Sequence, residues 1–223
     1  VRSLTSPWID FNLYLITGRG ETLGRSLESV VEDALRGGVR AIQLREKDLS
    51  SKELYETAYE LRKLTTRYGA KLFINDRVDV ALAVDADGVH VGATSLPIYK
   101  VRRLLGERKL IGVSCHNQVQ AITAQEMGAD FITFGPVYFT PSKAAYGDPV
   151  GLDLLETVND MLQIPVFALG GIKRENCAET LARGVHGVAL ISAILAAPQP
   201  REAARAILAQ LPPFDDSDSC QTN

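Results

Sequence analysis

Short apolar or β-branched runs alternate along this chain with longer segments in which apolar side chains recur every three or four positions. The runs are eight: Leu13 to Ile16, Ala41 to Leu44, Leu72 to Ile74, Gly88 to Val91, Leu110 to Val113, Phe131 to Phe134, Val166 to Leu169 and Gly187 to Leu190. Such an alternation predicts parallel strands joined by crossover helices. Between Ser51 and Tyr68 the residues Leu54, Ala58, Leu61 and Leu64 or Thr65 form one apolar stripe, and Ser26 with Ser29, Val30, Ala34 and Leu35 predicts another helix. Glycines follow several such segments, as in Arg36-Gly37-Gly38, Tyr68-Gly69, Met127-Gly128 and Arg183-Gly184, where a left-handed residue ends a helix. The pattern predicts a single (β/α)8 barrel domain over residues 1–211, with an open doubly wound sheet as the alternative. The stretch from Pro212 to Asn223 is acidic and polar and reads as a disordered tail.

The composition supports one large core: 223 residues, 46% hydrophobic and 23% charged. A net charge of −3 and the lack of a basic run argue against nucleic acid or an anionic membrane surface as partner, leaving a small molecule. Cys115, Cys177 and Cys220 form neither a disulfide framework nor a metal-binding spacing. With no spanning apolar run and no signal-peptide pattern near Val1, the expected location is the cytoplasm.

In such a barrel the chemistry belongs at the C-terminal ends of the strands. After the second run, alternation sends Gln43, Arg45 and Lys47 to one side, a set suited to a polyphosphate. The competing reading is a solvated strand end in which the cations pair with Glu46 or Asp48. Asn75-Asp76 follows the third run, and Asp76 is either the N-cap of the next helix or a carboxylate held for Mg²⁺. His90 in the fourth run reads as a packed, hydrogen-bonded histidine. Ser114 and His116 bring a hydroxyl and an imidazole to the fifth strand end, while Cys115 between them reads as a buried thiol. The longest connection, from Gly135 to Gly151, carries Thr140, Ser142 and Lys143, which would let a loop fold over a phosphate. Gly170-Gly171 after the seventh run and a short helix near Ser192 after the eighth predict a phosphate cradle of backbone N–H groups.

Taken together, LYLIT, IQLREK, INDRVDVALAVDADGVHVG, IGVSCHN, FGPVYFTPSK, ALGGI and GVALISAI, running from Leu13 to about Ala196, resemble the thiamin phosphate synthase and thiazole tautomerase family. The resemblance implies that Gln43, Arg45, Lys47 and Asn75 grip the pyrophosphate of a hydroxymethylpyrimidine substrate, and that Asp76 ligates Mg²⁺. It implies that Thr140, Ser142 and Lys143 close over the phosphates, that Ser114 lies near the pyrimidine, and that Gly171, Ile191 and Ser192 cradle a thiazole phosphate. The implied reaction is Mg-dependent substitution at the pyrimidine methylene, with Arg45, Lys47 and Lys143 stabilising charge on departing pyrophosphate. One departure stands out: where synthases of this family carry a second magnesium-binding aspartate, this chain has Ser95. That segment looks more like the tautomerase branch, which moves a proton on a carboxylated thiazole phosphate and would use His116 as acid and base, whereas the retained QLREK, ND and TPSK set resembles the synthase, since a tautomerase has no pyrophosphate to neutralise. A ligand-sensing barrel without catalysis is the reading from another class, and a homodimer is left open.

Overall fold

The computed structural model describes residues 9–140 and 148–213. Eight parallel strands close into a barrel in sequence order: β1 (Leu13–Ile16), β2 (Ala41–Leu44), β3 (Lys71–Asn75), β4 (Gly88–Val91), β5 (Leu110–Cys115), β6 (Phe131–Phe134), β7 (Val166–Leu169) and β8 (Gly187–Leu190). β1 pairs with both β2 and β8, so the sheet has no edge and the open-sheet alternative is excluded. The helices are α1 (Leu27–Arg36), α2 (Ser51–Arg67), α3 (Val78–Ala83), α4 (Ile98–Leu105), α5 (Gln118–Glu126), α6 (Gly151–Met161), α7 (Arg174–Leu181), α8 (Ser192–Leu195) and α9 (Pro200–Leu208). Two strands run longer than the apolar pattern indicated: β3 takes in Lys71 and Asn75, and β5 continues through Ser114 and Cys115. Polar residues extend these strands because the ladder depends on backbone pairing, and Asn75 and Ser114 pair with His90 and Thr133 of the next strands.

Local signals explain the helices. Ser50 accepts from the Glu53 N–H while Glu53 reaches back to the Ser50 N–H, a reciprocal cap that starts α2. Its buried stripe is Leu54, Ala58, Leu61 and Thr65. Ser26 caps α1 one way only, its hydroxyl accepting from the Ser29 N–H. Gly38, Gly69, Gly128 and Gly184 all have positive φ after the helices they end.

The core has two shells. Outward-facing strand residues such as Leu15, Ile42, Leu72 and Ile132 pack under the helices. Inward-facing residues form a separate cluster of Phe11, Tyr14, Phe73, Phe131 and Phe167 with smaller neighbours. Their rings meet mostly edge to face, with centroids such as Tyr14 to Phe73 at 5.3 Å and Phe11 to Phe131 at 5.8 Å. Gly112 is what lets this interior fill, since a Cβ there would lie 2.4 Å from Phe131 Cζ and 2.5 Å from His90 Nδ1. Among the described residues no helix is long and apolar enough to cross a membrane.

Candidate active site

Because the strands are parallel and the ring is closed, every strand-end residue singled out above emerges on one rim. Backbone bonds tie neighbouring ends together there: the Thr17 N–H donates to Gln43 O at 2.9 Å, Asp76 N–H to His90 O at 3.0 Å and Val137 N–H to Leu169 O at 2.9 Å.

Beneath the rim, a polar layer replaces the aromatic filling. Gln43 Nε2 donates to the Tyr14 hydroxyl at 3.2 Å, and that hydroxyl lies 3.3 Å from His90 Nδ1. His90 Nε2 lies 3.0 Å from Ser114 Oγ and 3.4 Å from Thr133 Oγ1. The direction of the chain follows from satisfaction of buried groups. The Tyr14 hydroxyl already accepts from Gln43, so its proton goes to His90 Nδ1 and the opposite ring nitrogen donates to Ser114. Burial, with the positive charge of Arg45 as the lesser cause, pushes the pKa of His90 down to about 3, so the ring is neutral. The packed reading of His90 is therefore correct, and Ser114 is left with its own proton to offer towards the mouth. Cys115 is buried and its thiol is pushed up to about 12 by that burial, which removes it as a nucleophile.

Gln43, Arg45 and Lys47 share a strand end but not a depth. β2 ends at Leu44, so Gln43 is enclosed at 1% exposure inside the wall, while Arg45 is half-buried and Lys47 exposed beyond it. The pairing of Arg45 or Lys47 with Glu46 or Asp48 does not occur: among the described residues neither cation forms an ion pair. Both acids go to Arg19, a residue that sequence reasoning missed. Arg19 Nε lies 3.3 Å from Glu46 Oε2, its backbone N–H donates to the same oxygen at 3.1 Å, and its terminal nitrogen donates to Asp48 Oδ2 at 2.6 Å. The hydrogen bond with Asp48 is the chief reason the Arg19 pKa is raised and that of Asp48 lowered. Thr17 completes the join, its hydroxyl accepting from the Arg45 N–H at 2.9 Å.

Asp76 does not cap α3; Arg77 holds the N-cap position, and no side chain caps that end. Asp76 instead has φ 60°, in the left-handed region that aspartate enters more readily than most residues. Its carboxylate accepts from Ser95 Oγ on one oxygen and from Asn75 Nδ2, at 3.0 Å, on the other. Ser95 Oγ accepts in turn from the Gly92 N–H at 2.7 Å. Thus Ser95, which by the resemblance stands where a second aspartate is expected, lies directly against Asp76. This carboxylate and hydroxyl are hard oxygen donors and fit magnesium, which takes one or two carboxylates with water and substrate phosphate. No group of three or more His, Cys, Asp or Glu residues suited to a metal occurs among the described residues, so substrate and water oxygens would have to complete the shell.

On the other half of the rim, His116 is exposed just past β5, with Nδ1 2.5 Å from Gly135 O. Gly170 and Gly171 have φ 99° and 67°, and a Cβ on Gly171 would lie 2.7 Å from Tyr138 Cβ. The glycines therefore do more than turn the chain: they let the β7 end pack against the segment leaving β6. Ile191 precedes α8, which begins at Ser192; its carbonyl accepts from the Ile194 and Leu195 N–H groups, and the Ser192 and Ala193 N–H groups have no helical acceptor at this rim. Thr140 is half-buried, while Ser142, Lys143 and residues 214–223 of the tail lie outside the described residues.

The architecture is that of a (β/α)8-barrel enzyme, with a polar floor, an oxygen-donor pair and, among the described residues, two cations without ion pairs on its C-terminal rim. Comparison with known proteins gives the particular family. The family model described as thiamine monophosphate synthase matches residues 13–194. A thiamine-phosphate synthase from Clostridium novyi is 46% identical over 187 residues, 84% of this chain and 92% of that protein. A Geobacter sulfurreducens protein provisionally named for the same activity is 62% identical over 205 residues, 92% of this chain and 96% of its own. The solved thiamine phosphate pyrophosphorylase from Pyrococcus furiosus superposes with a TM-score of 0.83 at 38% identity, covering 92% of this chain and 97% of that one. The chain belongs to the thiamine monophosphate synthase family, whose members matched here are transferases.

Proposed function

We propose that this enzyme condenses hydroxymethylpyrimidine pyrophosphate with thiazole phosphate, forming thiamin phosphate and releasing pyrophosphate. The methylene C–O bond breaks with its electron pair leaving on pyrophosphate, and the thiazole nitrogen lone pair forms the new C–N bond. No protein nucleophile is needed, in keeping with the inert Cys115. The observation that carries this reading is the pair of rim cations, Arg45 and Lys47, left without acidic partners among the described residues beside the Asp76 carboxylate.

Arg45 offers a planar fork and Lys47 a mobile point charge to the leaving group, stabilising negative charge as it builds. Asn75 steadies Asp76 from one side and Ser95 from the other. Magnesium held by Asp76 and Ser95 would neutralise pyrophosphate charge. Ser114, fixed by the neutral His90, donates to an acceptor on the pyrimidine ring, with Gln43 and Tyr14 setting the histidine's orientation from below. The Gly171 turn and the first turn at Ile191 and Ser192 receive the thiazole phosphate. By the family motif, Thr140, Ser142 and Lys143 add hydroxyls and a further cation over the phosphates.

A second reading, thiazole tautomerisation, is favoured by one observation. His116 Nδ1–H donates to Gly135 O, which leaves the opposite ring nitrogen to exchange a proton with a substrate. The deciding experiment supplies the purified chain with hydroxymethylpyrimidine pyrophosphate and thiazole phosphate, with and without Mg²⁺, beside a tautomerisation assay on the carboxylated thiazole. Pyrophosphate release coupled to thiamin phosphate is the expected result. Tautomerisation without condensation would overturn it.

A further inference from the structure

Alternation at the end of β2 places two acids, Glu46 and Asp48, between and beside the cations Arg45 and Lys47. Left to themselves, exposed neighbours of opposite sign pair and cancel, and the strand end would offer an anion little net charge. The β1 end prevents this. Arg19 takes Glu46 with both its backbone N–H and its side chain, and takes Asp48 with a terminal nitrogen. Thr17 holds the backbone at Arg45 from the same side. The Glu46 side chain is drawn almost wholly out of water, 5% exposed, and its Oε1 is buried without a partner among the described residues. A buried acceptor left unsatisfied is costly, so the arrangement is held by the Arg19 contacts and not by any comfort of Glu46 itself.

We propose that Arg19 is a positioning residue for the pyrophosphate subsite: it sequesters Glu46 and Asp48 so that Arg45 and Lys47 face the anion uncompensated. This rests on the reading of Arg45 and Lys47 given above. Arg19 need not touch the substrate. Without it, the two carboxylates turn back on the neighbouring cations and compete with the incoming phosphates.

The test is a double-mutant cycle on the full chain, titrating inorganic pyrophosphate calorimetrically without added divalent ion, with KM and kcat measured in parallel. Arg19→Ala weakens pyrophosphate about tenfold and raises KM more than it lowers kcat. Adding Glu46→Gln and Asp48→Asn to that variant restores binding, whereas the same pair in the wild-type background changes it less than about twofold, an effect strongly dependent on background. Equal factors in both backgrounds would mean simple addition of charge and would overturn the sequestration. No rescue in the Arg19→Ala background would overturn it too, by showing that Arg19 is merely structural. Should Arg19→Ala not fold, Arg19→Gln takes its place in the cycle, and a large effect of Glu46→Gln/Asp48→Asn in the wild type counts against the proposal by itself. Arg45→Ala and Lys47→Ala separate the two levels: loss of binding there with none in Arg19→Ala refutes the role of Arg19 alone. No loss in any of them refutes the cation subsite itself.

Discussion

The two rims of this barrel treat charge in opposite ways. At the N-terminal rim, Asp87 accepts from Arg62 at 2.7 Å and from the Leu72 N–H at 2.7 Å, and Asp130 accepts from Arg102 and from the Ile111 N–H at 2.8 Å. Each aspartate stands just before an even-numbered strand and secures the odd-numbered strand that precedes it. Arg102 also donates to the carbonyls of Lys109 and Gly128, so little of its hydrogen-bonding capacity is left over. At the C-terminal rim, among the described residues, Arg45 and Lys47 have no ion pair and Glu46 Oε1 has no hydrogen-bond partner, while Asp76 has a left-handed backbone. The N-terminal rim satisfies these polar groups among themselves; the C-terminal rim leaves capacity open, as the proposed anion subsite requires.

That contrast is broken most severely from the closed side. Asp130→Ala strands Arg102, which is 14% exposed, and should cost about 3–5 kcal/mol in a denaturant titration while leaving pyrophosphate affinity of the folded fraction unchanged. Arg45→Ala should behave in the reverse manner, lowering kcat/KM about a hundredfold with stability within about 0.5 kcal/mol of wild type. A large stability loss in that variant would mean the cation is structural. Gly112→Ala lies between the rims and sharpens the boundary. Its Cβ would collide with Phe131 and His90, costing about 1–3 kcal/mol and displacing the ring that holds Ser114, so both melting temperature and substrate KM should worsen.

The floor of the site also has an acid signature. His90 is held at about 3 when folded against an ordinary 6.5, so between these values the unfolded chain binds the extra proton and stability falls as pH drops. The slope owed to this group is about 1.4 kcal/mol per pH unit at most, and His90→Gln should flatten it in pH-dependent denaturation. The smallest effect belongs to Ser95→Asp, which restores a carboxylate beside Asp76 and should tighten Mg²⁺ several-fold in a metal titration monitored without substrate. Unchanged metal affinity would place the ion elsewhere.

Much of the architecture was legible in the chain because apolar alternation, helix caps and glycine stops are local signals. The eight runs lie within the eight strands, and the stripe at Leu54, Ala58 and Leu61 is the buried face of α2. The site was legible by position and less so by state. Asp76 looked like a helix cap because aspartate often is one, yet the chain turns left-handed at that residue and begins α3 after Arg77. Arg19 carried no local signal at all, since its partners lie 27 and 29 residues away.

By itself, the order of apolar and polar residues determined a ring of parallel strands and which side chains stand at the strand ends, since periodicity and strand-to-helix alternation act over short stretches of chain. Only the closed barrel decided which of those side chains neutralise one another. Charges choose partners by distance and burial, and at this rim the parallel pairing of β1 with β2 brings Arg19 to Glu46 and Asp48 and leaves Arg45 and Lys47 without an ion pair among the described residues.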